Sequence, residues 1–265
     1  MTQEMNILDK IVADKRKEVD LKKSLITPSQ LEQSVLMERN PVSLAAALRN
    51  SSTGIIAEHK RRSPSKSVIN QGLNVQDVAM GYETAGVCGM SVLTDGKYFG
   101  GSLDDLILAR ASVNMPLLRK EFIIDEYQIL EAKAYGADVI LLIAAILDRE
   151  EIKTFSEMAK SLGLDILLEV HNEEELQKSI MPSLDMLGVN NRNLKTFEVS
   201  LETSKSLSKQ IPDDFVKVSE SGISSVEAIK DLRTYGYQGF LIGENFMKTD
   251  DPGKSAKGFI NELNR

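Results

Sequence analysis

Glutamates and lysines recur in this sequence where an apolar run should continue. Ile56-Ala57-Glu58-His59-Lys60 carries an acid and a base two residues apart, Leu118-Arg119-Lys120-Glu121-Phe122 a further base, and Leu168-Glu169-Val170-His171 a further acid. Val189-Asn190-Asn191-Arg192 and Val218-Ser219-Glu220-Ser221-Gly222 add an amide, a guanidinium and a third acid. Side chains alternate between the faces of a strand, so Glu58 and Lys60 share a side with Ile56, while His59 takes the other. Lys120 with Phe122, and Asn190 with Arg192, pair in the same way. A lone charge in a dry interior costs on the order of several kcal/mol even after relaxation. One such residue is explained by an ion pair at the end of a strand. Glu58, Lys60, Lys120, Glu169, Arg192 and Glu220 converging together describe a site that handles an anionic substrate.

Two further segments suit a phosphate: Ser221-Gly222-Ile223-Ser224, and Gly243-Glu244-Asn245 after Leu241-Ile242. Glycine-containing turns between a strand and a helix offer backbone N–H groups to an anion, and the basic loop Ser63-Pro64-Ser65-Lys66 adds charge. His171 is expected to cap or pack beside the helix that follows it, His59 to pack outward, and Cys88 to be a buried small residue.

These residues need a frame that gathers strand ends. From Gly54 onward, short apolar strands alternate with helices of 3.6-residue period. The strands read as 54–61, 90–96, 116–124, 137–147, 165–170, 186–192, 215–221 and 239–246. The helices read as 75–85, 103–113, 126–135, 149–162, 173–180, 201–210, 225–235 and 256–263. Each helix returns the chain to start the next strand in the same direction, so the sheet is parallel. Eight such units match a closed (β/α)8 TIM barrel, whose active site lies at the carboxyl ends of the strands. An open doubly wound sheet would want a Gly-x-Gly-x-x-Gly turn after the first strand, which this chain lacks. Before the barrel, residues 6–23 read as an amphipathic helix, Thr27-Pro28-Ser29-Gln30 as a capping box, and residues 43–49 as a short helix. Residues 1–50 are therefore expected to be a helical extension packed on one barrel domain spanning 1–265.

With 265 residues, 42% of them hydrophobic, a single large core is within reach. The net charge of −7 argues against nucleic acid as the main partner. One cysteine and two histidines exclude a disulfide framework and a Cys/His zinc site. The N-terminus has no signal-like apolar stretch, and no run is long enough to span a bilayer, so a cytoplasmic enzyme without a membrane partner is expected.

The chain resembles the indole-3-glycerol phosphate synthases of tryptophan biosynthesis. The resemblance rests on Glu58-His59-Lys60 with Ser63-Pro64-Ser65, Thr94-Asp95 with Phe99-Gly100-Gly101-Ser102, Leu118 to Phe122, and Leu168 to His171. It continues through Gly188 to Leu194, Ser219 to Ile223 and Leu241 to Glu244, and includes the opening Ile7-Leu8-Asp9-Lys10-Ile11-Val12 with Lys15-Arg16. It implies ring closure, decarboxylation and dehydration of 1-(2-carboxyphenylamino)-1-deoxyribulose 5-phosphate, with no cofactor and no metal.

By the same resemblance, Lys120 is the general acid of ring closure with Glu58 as its ionic neighbour, Lys60 assists dehydration, and Glu169 is the general base. Asn190 and Arg192 position the substrate and the acids, and Glu220 shapes the cluster. Ser63, Ser221, Gly222, Gly243 and Glu244 hold the phosphate. Phe99, Phe122 and Leu194 flank the aromatic ring. The position of His59 is more often aliphatic or aromatic in the family, and Asn191 and Asn193 stand where Ser and Asp also occur, with the asparagines expected to affect at most the orientation of Arg192. A phosphoribosylanthranilate isomerase shares the phosphate strands, but isomerisation does not call for both Lys60 and Lys120. A barrel that only binds has no use for Lys120 and Glu169 together.

Overall fold

The structure, a computed structural model, describes residues 6–265. Eight strands form a closed parallel barrel in chain order: β1 (Ile55–His59), β2 (Gly89–Leu93), β3 (Leu117–Lys120), β4 (Val139–Ile143), β5 (Asp165–Val170), β6 (Met186–Asn190), β7 (Val216–Glu220) and β8 (Gly239–Ile242). Closure comes from β1 against β8, where Ile55, Ile56 and Ala57 pair with Phe240, Leu241 and Ile242. Preceding the barrel are α1 (Ile7–Leu25), α2 (Pro28–Glu32), a 3-10 turn at Val35–Glu38, and α3 (Leu44–Arg49). Around it run α4 (Val75–Ala85), α5 (Gly96–Phe99), α6 (Leu103–Ser112), α7 (Glu126–Ala134), α8 (Arg149–Ser161), α9 (Glu173–Ser179), α10 (Glu202–Leu207), α11 (Val226–Thr234), α12 (Glu244–Met247) and α13 (Pro252–Leu263).

Alternation along the strands builds two cores. Residues such as Ile56, Leu118, Val139, Leu141, Leu167, Met186, Val216, Val218 and Leu241 fill the barrel interior. Those of opposite parity, among them Ile55, Ala57, Met90, Val92, Ile140, Leu168 and Val189, pack under the helices. The interior is apolar at the amino end of the strands and becomes charged at the carboxyl end, where Glu58, Lys120, Glu169, Asn190 and Glu220 follow on the same parity.

The expected extension is present from residue 6; residues 1–5 lie outside the described residues. It reaches both ends of the barrel. At the carboxyl end Ile7, Leu8 and Ile11 of α1 face the mouth. Thr27 forms the expected capping box with Gln30. The chain then runs past α7 to the amino end, where Asp138 accepts hydrogen bonds from Arg39 and the Val42 amide, and Asp165 from Ser43 and the Ala45 amide. There α3 plugs the barrel with Leu44 and Leu48. A Cβ at Gly89 would come within 2.7 Å of Leu44, and one at Gly239 within 3.1 Å of Leu48, so glycines opening β2 and β8 make room for the plug.

The strands end earlier than their apolar runs suggest. After Lys120 the chain leaves β3, because Glu121 turns back to accept from the Phe122 amide and Gln128 accepts from the Ile124 amide. The run read as strand to residue 246 breaks at Gly243, and Glu244–Met247 is a helical turn that buries Phe246 and Met247. The Gly96–Phe99 turn, capped by Asp95, is also a helix that periodicity did not reveal.

Candidate active site

At the carboxyl mouth a cavity of about 370 Å³ is lined by Glu58, Lys60, Ser63, Phe99, Lys120, Phe122, Glu169, Asn190, Arg192, Leu194, Ser221, Gly222, Gly243 and Glu244. Of the residues expected to act in catalysis or to bind the phosphate or the ring, Glu220 alone does not line it. Glu220 is fully buried and stands behind Lys120.

Lys120 is the hub. Its Nζ lies 2.6 Å from Glu220 Oε2, 3.8 Å from Glu58 Oε2 and 3.9 Å from Glu169 Oε2. Glu58 is thus an ionic neighbour of Lys120 as expected, but at longer range than Glu220, and its Oε1 is 2.5 Å from Lys60 Nζ. The reason is geometric. Three acids of the same parity face one point, and the closure of the barrel decides which one reaches it.

Burial works against the Lys120 ammonium, but the Glu220, Glu58 and Glu169 carboxylates outweigh it and raise its pKa above the ordinary lysine value. Glu220 is pushed up to about 7, chiefly by burial, against the pull of Lys120. Its Oε1 has no hydrogen-bond partner among the described residues, a place where a proton relieves the site. Burial also acts to raise Glu169, yet His171, Lys120 and Asn190 bring it down to about 2, so it is ionised at neutral pH. Glu58 is held below its ordinary value against the same desolvation, by Lys60 and then Lys120. Near neutrality the cluster thus offers a proton on Lys120 and an open carboxylate on Glu169.

His171 packs beside α9 as expected, with Nδ1 3.0 Å from Glu175 Oε2. It does more than that. Nε2 stands 3.2 Å from Glu169 Oε1, close enough for ionic attraction but not aligned as a hydrogen bond. His59 is buried on the helix side and is held down to about 4 by desolvation and by Arg61, remote from the cavity.

The cavity has an aromatic end and an end formed by glycine-containing turns. Phe99 and Phe122 stand with centroids 5.9 Å apart. Their backbone amides are fixed by Asp95 and Glu121, and the buried Lys15 of α1 reaches both carboxylates, at 3.0 and 3.1 Å. At the other end, Ser221 and Gly222 take positive φ values of 66° and 80° before α11, and Gly243 precedes the first turn of α12. Lys66 pairs with Glu244 at 2.6 Å across this end. Arg192 meets no carboxylate within ion-pair distance among the described residues; its side chain donates to the Phe197 carbonyl at 3.2 Å.

Sequence reasoning missed several supports. Gly188 on β6 is one: a Cβ there would come within 2.5 Å of Glu220 Oε1, so the glycine is the space Glu220 occupies. Gly243 likewise backs onto the Glu58 carboxylate, and only the absence of a side chain allows the approach. Lys15 and Glu121 carried a signal, charges inside otherwise apolar spacing, but nothing local ties them to the site. Asn191 is buried and points to the β7 loop. Among the described residues, no three His, Cys, Asp or Glu side chains form a group that could hold a metal.

A sequence model of the family described as indole-3-glycerol phosphate synthase matches residues 8–259. The chain belongs to this family. The indole-3-glycerol phosphate synthase of Bacteroides thetaiotaomicron is 49% identical over 258 residues, covering 97% of this chain and 99% of the relative. That of Polaromonas naphthalenivorans is 43% identical, covering 97% and 99%. Among solved structures, 3-hexulose-6-phosphate synthase from Salmonella typhimurium superposes with a TM-score of 0.64 at 14% identity, over 79% of this chain and 98% of that one. Thiamine phosphate pyrophosphorylase from Pyrococcus furiosus gives 0.61 at 16% identity, over 84% and 98%. These two likenesses establish the barrel and nothing about chemistry.

Proposed function

We propose that the chain is a carboxy-lyase of tryptophan biosynthesis, converting 1-(2-carboxyphenylamino)-1-deoxyribulose 5-phosphate into indole-3-glycerol phosphate, CO2 and water. The observation that carries the reading is the Lys120 ammonium, held by three carboxylates on the wall of a cavity with an aromatic end and an end formed by glycine-containing turns. The ring carbon bearing the carboxylate attacks the substrate ketone, and the carbonyl electrons move onto oxygen. Lys120 supplies the proton that this oxygen takes up. The carboxylate leaves as CO2, and its bonding pair restores the aromatic ring. Lys60 then protonates the departing hydroxyl, which leaves as water, while Glu169 removes a proton from the neighbouring carbon to form the indole double bond.

Glu58 orients Lys60, and Glu220 orients Lys120 from behind. Asn190 and Arg192 place the substrate, with the guanidinium free for an anionic group. Phe99, Phe122 and Leu194 flank the ring. Ser63, Ser221, Gly222, Gly243 and Glu244 receive the phosphate. Residues 1–265 act as one barrel domain with its extension, cytoplasmic, without cofactor, nucleic-acid partner or membrane partner. Among the described residues no helix is long and apolar enough to cross a membrane. The test is direct: purified protein is incubated with the carboxyphenylamino-ribulose phosphate while indole fluorescence is followed. Appearance of the indole product supports the reading, and none at any enzyme concentration overturns it.

A further inference from the structure

Next to the substrate-positioning pair Asn190 and Arg192 stands a side chain that the reaction does not touch. Asn191 is 2% exposed, and its carboxamide uses its full hydrogen-bonding capacity. Nδ2 donates to Ser219 Oγ at 3.0 Å and to the Ser221 carbonyl at 3.1 Å. Oδ1 accepts from the Ser204 amide at 3.1 Å and from Ser204 Oγ at 2.8 Å. The backbone partners at both ends fix which atom is nitrogen and which is oxygen. The Asn191 amide donates to the Glu220 carbonyl at 2.9 Å, and the Asn191 carbonyl accepts from Ser200 at 3.0 Å. One residue therefore ties the end of β6 to the end of β7 and to α10.

The bond to the Ser221 carbonyl has a particular consequence. Ser221 has a φ of 66°, in the left-handed region that a residue with a Cβ rarely occupies, and Gly222 follows at 80°. This peptide turns the loop toward the cavity, and a strained turn persists only where its surroundings overdetermine it. We propose that Asn191 is a positioning residue for the substrate's phosphate, acting through the Ser221–Gly222 turn. The inference rests on the reading that phosphate binds at this turn.

Asn191→Asp tests it, because the side chain keeps its shape and still accepts from Ser204. The Ser219 hydroxyl can rotate to donate to the carboxylate, giving up its bond to Ser204 Oγ, but the Ser221 carbonyl cannot, so the turn loses the donor that holds it. The expected result is a rise of about tenfold in KM and in the inhibition constant of inorganic phosphate, with kcat changed less than about twofold. Unchanged KM and phosphate inhibition, with or without a lower thermal midpoint, would make Asn191 a fold-stabilising residue only and overturn the proposal. Asn191→Ala, which removes the same donor without adding charge, is read in the same assay should the aspartate variant fail to fold. Ser221→Asp separates the two claims. It should raise both constants; if it raises neither, phosphate lies elsewhere and the underlying reading falls with the proposal. If Ser221→Asp raises both and the Asn191 variants raise neither, the Asn191 proposal alone fails.

Discussion

Lys120 shows how one side chain's burden is shared among its neighbours. Replacing it with methionine removes a buried cation facing Glu220, Glu58 and Glu169. Glu220, already pushed up to about 7 by burial and by the other two acids, then takes a proton and lowers the local charge. Lys120→Met should therefore fold, while kcat falls about 10²–10⁴-fold, the range typical of a lost general acid. Near-normal kcat with a lowered thermal midpoint would instead mark Lys120 as a structural ion pair. His171 supplies a test at another pH. Burial would lower its pKa, but Glu169 and Glu175 outweigh burial and hold it up to about 10. A histidine whose folded pKa is raised contributes stability fully present below its ordinary value near 6.5 and lost as pH rises through about 10. The denaturant midpoint gap between wild type and His171→Gln should accordingly be largest near pH 6 and shrink toward pH 10. A constant gap would mean that the ring packs as a neutral group.

At the scale of elements, α1 is held by charge as much as by its apolar stripe. Lys15 is buried against Asp95 and Glu121, which in turn cap the amides of Phe99 and Phe122. A second clamp is outside the core, where Asp14 accepts from Lys97 and Tyr98 of α5. Removing one partner from a buried ion cluster typically costs about 3–5 kcal/mol. Lys15→Met should show a loss of this order in urea unfolding, and a higher KM as the two rings lose their backbone anchors. A variant as stable as wild type would show that the apolar contacts of Ile11 and Val19 suffice. At the other end, α3 was legible as a helix from its cap and leucines, but its role as a plug was not. That role depends on glycines 89 and 239, which lie far from it in sequence.

For the whole molecule, each acid of the site is paired within the protein itself. Each of Glu58, Glu169 and Glu220 faces a lysine within 4 Å, and none stands in a three-ligand metal arrangement among the described residues. If the proposed reaction is the one catalysed, turnover should survive exhaustive treatment with EDTA and require no added cofactor. Loss of activity on chelation, restored by a divalent metal, would overturn this.

The sequence by itself determined the eight strand and helix units, the parity that turns the acids and bases inward, and the glycine turns after β7 and β8. Each is a local property: apolar period, alternation, or a residue suited to a turn. Where strands stop was not local. Phe246-Met247 follows Leu241-Ile242 after only three residues, yet pairing with β1 ends at Ala57 opposite Ile242, and the later apolar residues belong to α12. The partner of Lys120 was hidden for a related reason. Glu58, Glu169 and Glu220 share one parity, and only closure of the barrel brings β7 across from β3 so that Glu220 lies nearest. Asn191 faces away from the cavity by the same alternation that points Asn190 and Arg192 into it. What it holds there, a turn on the next strand, is decided by the register of β6 against β7, where Val189 pairs with Ser219 and Asn190 with Glu220. Periodicity assigns a side chain to a face; the distance between two faces is set by how the sheet closes on itself.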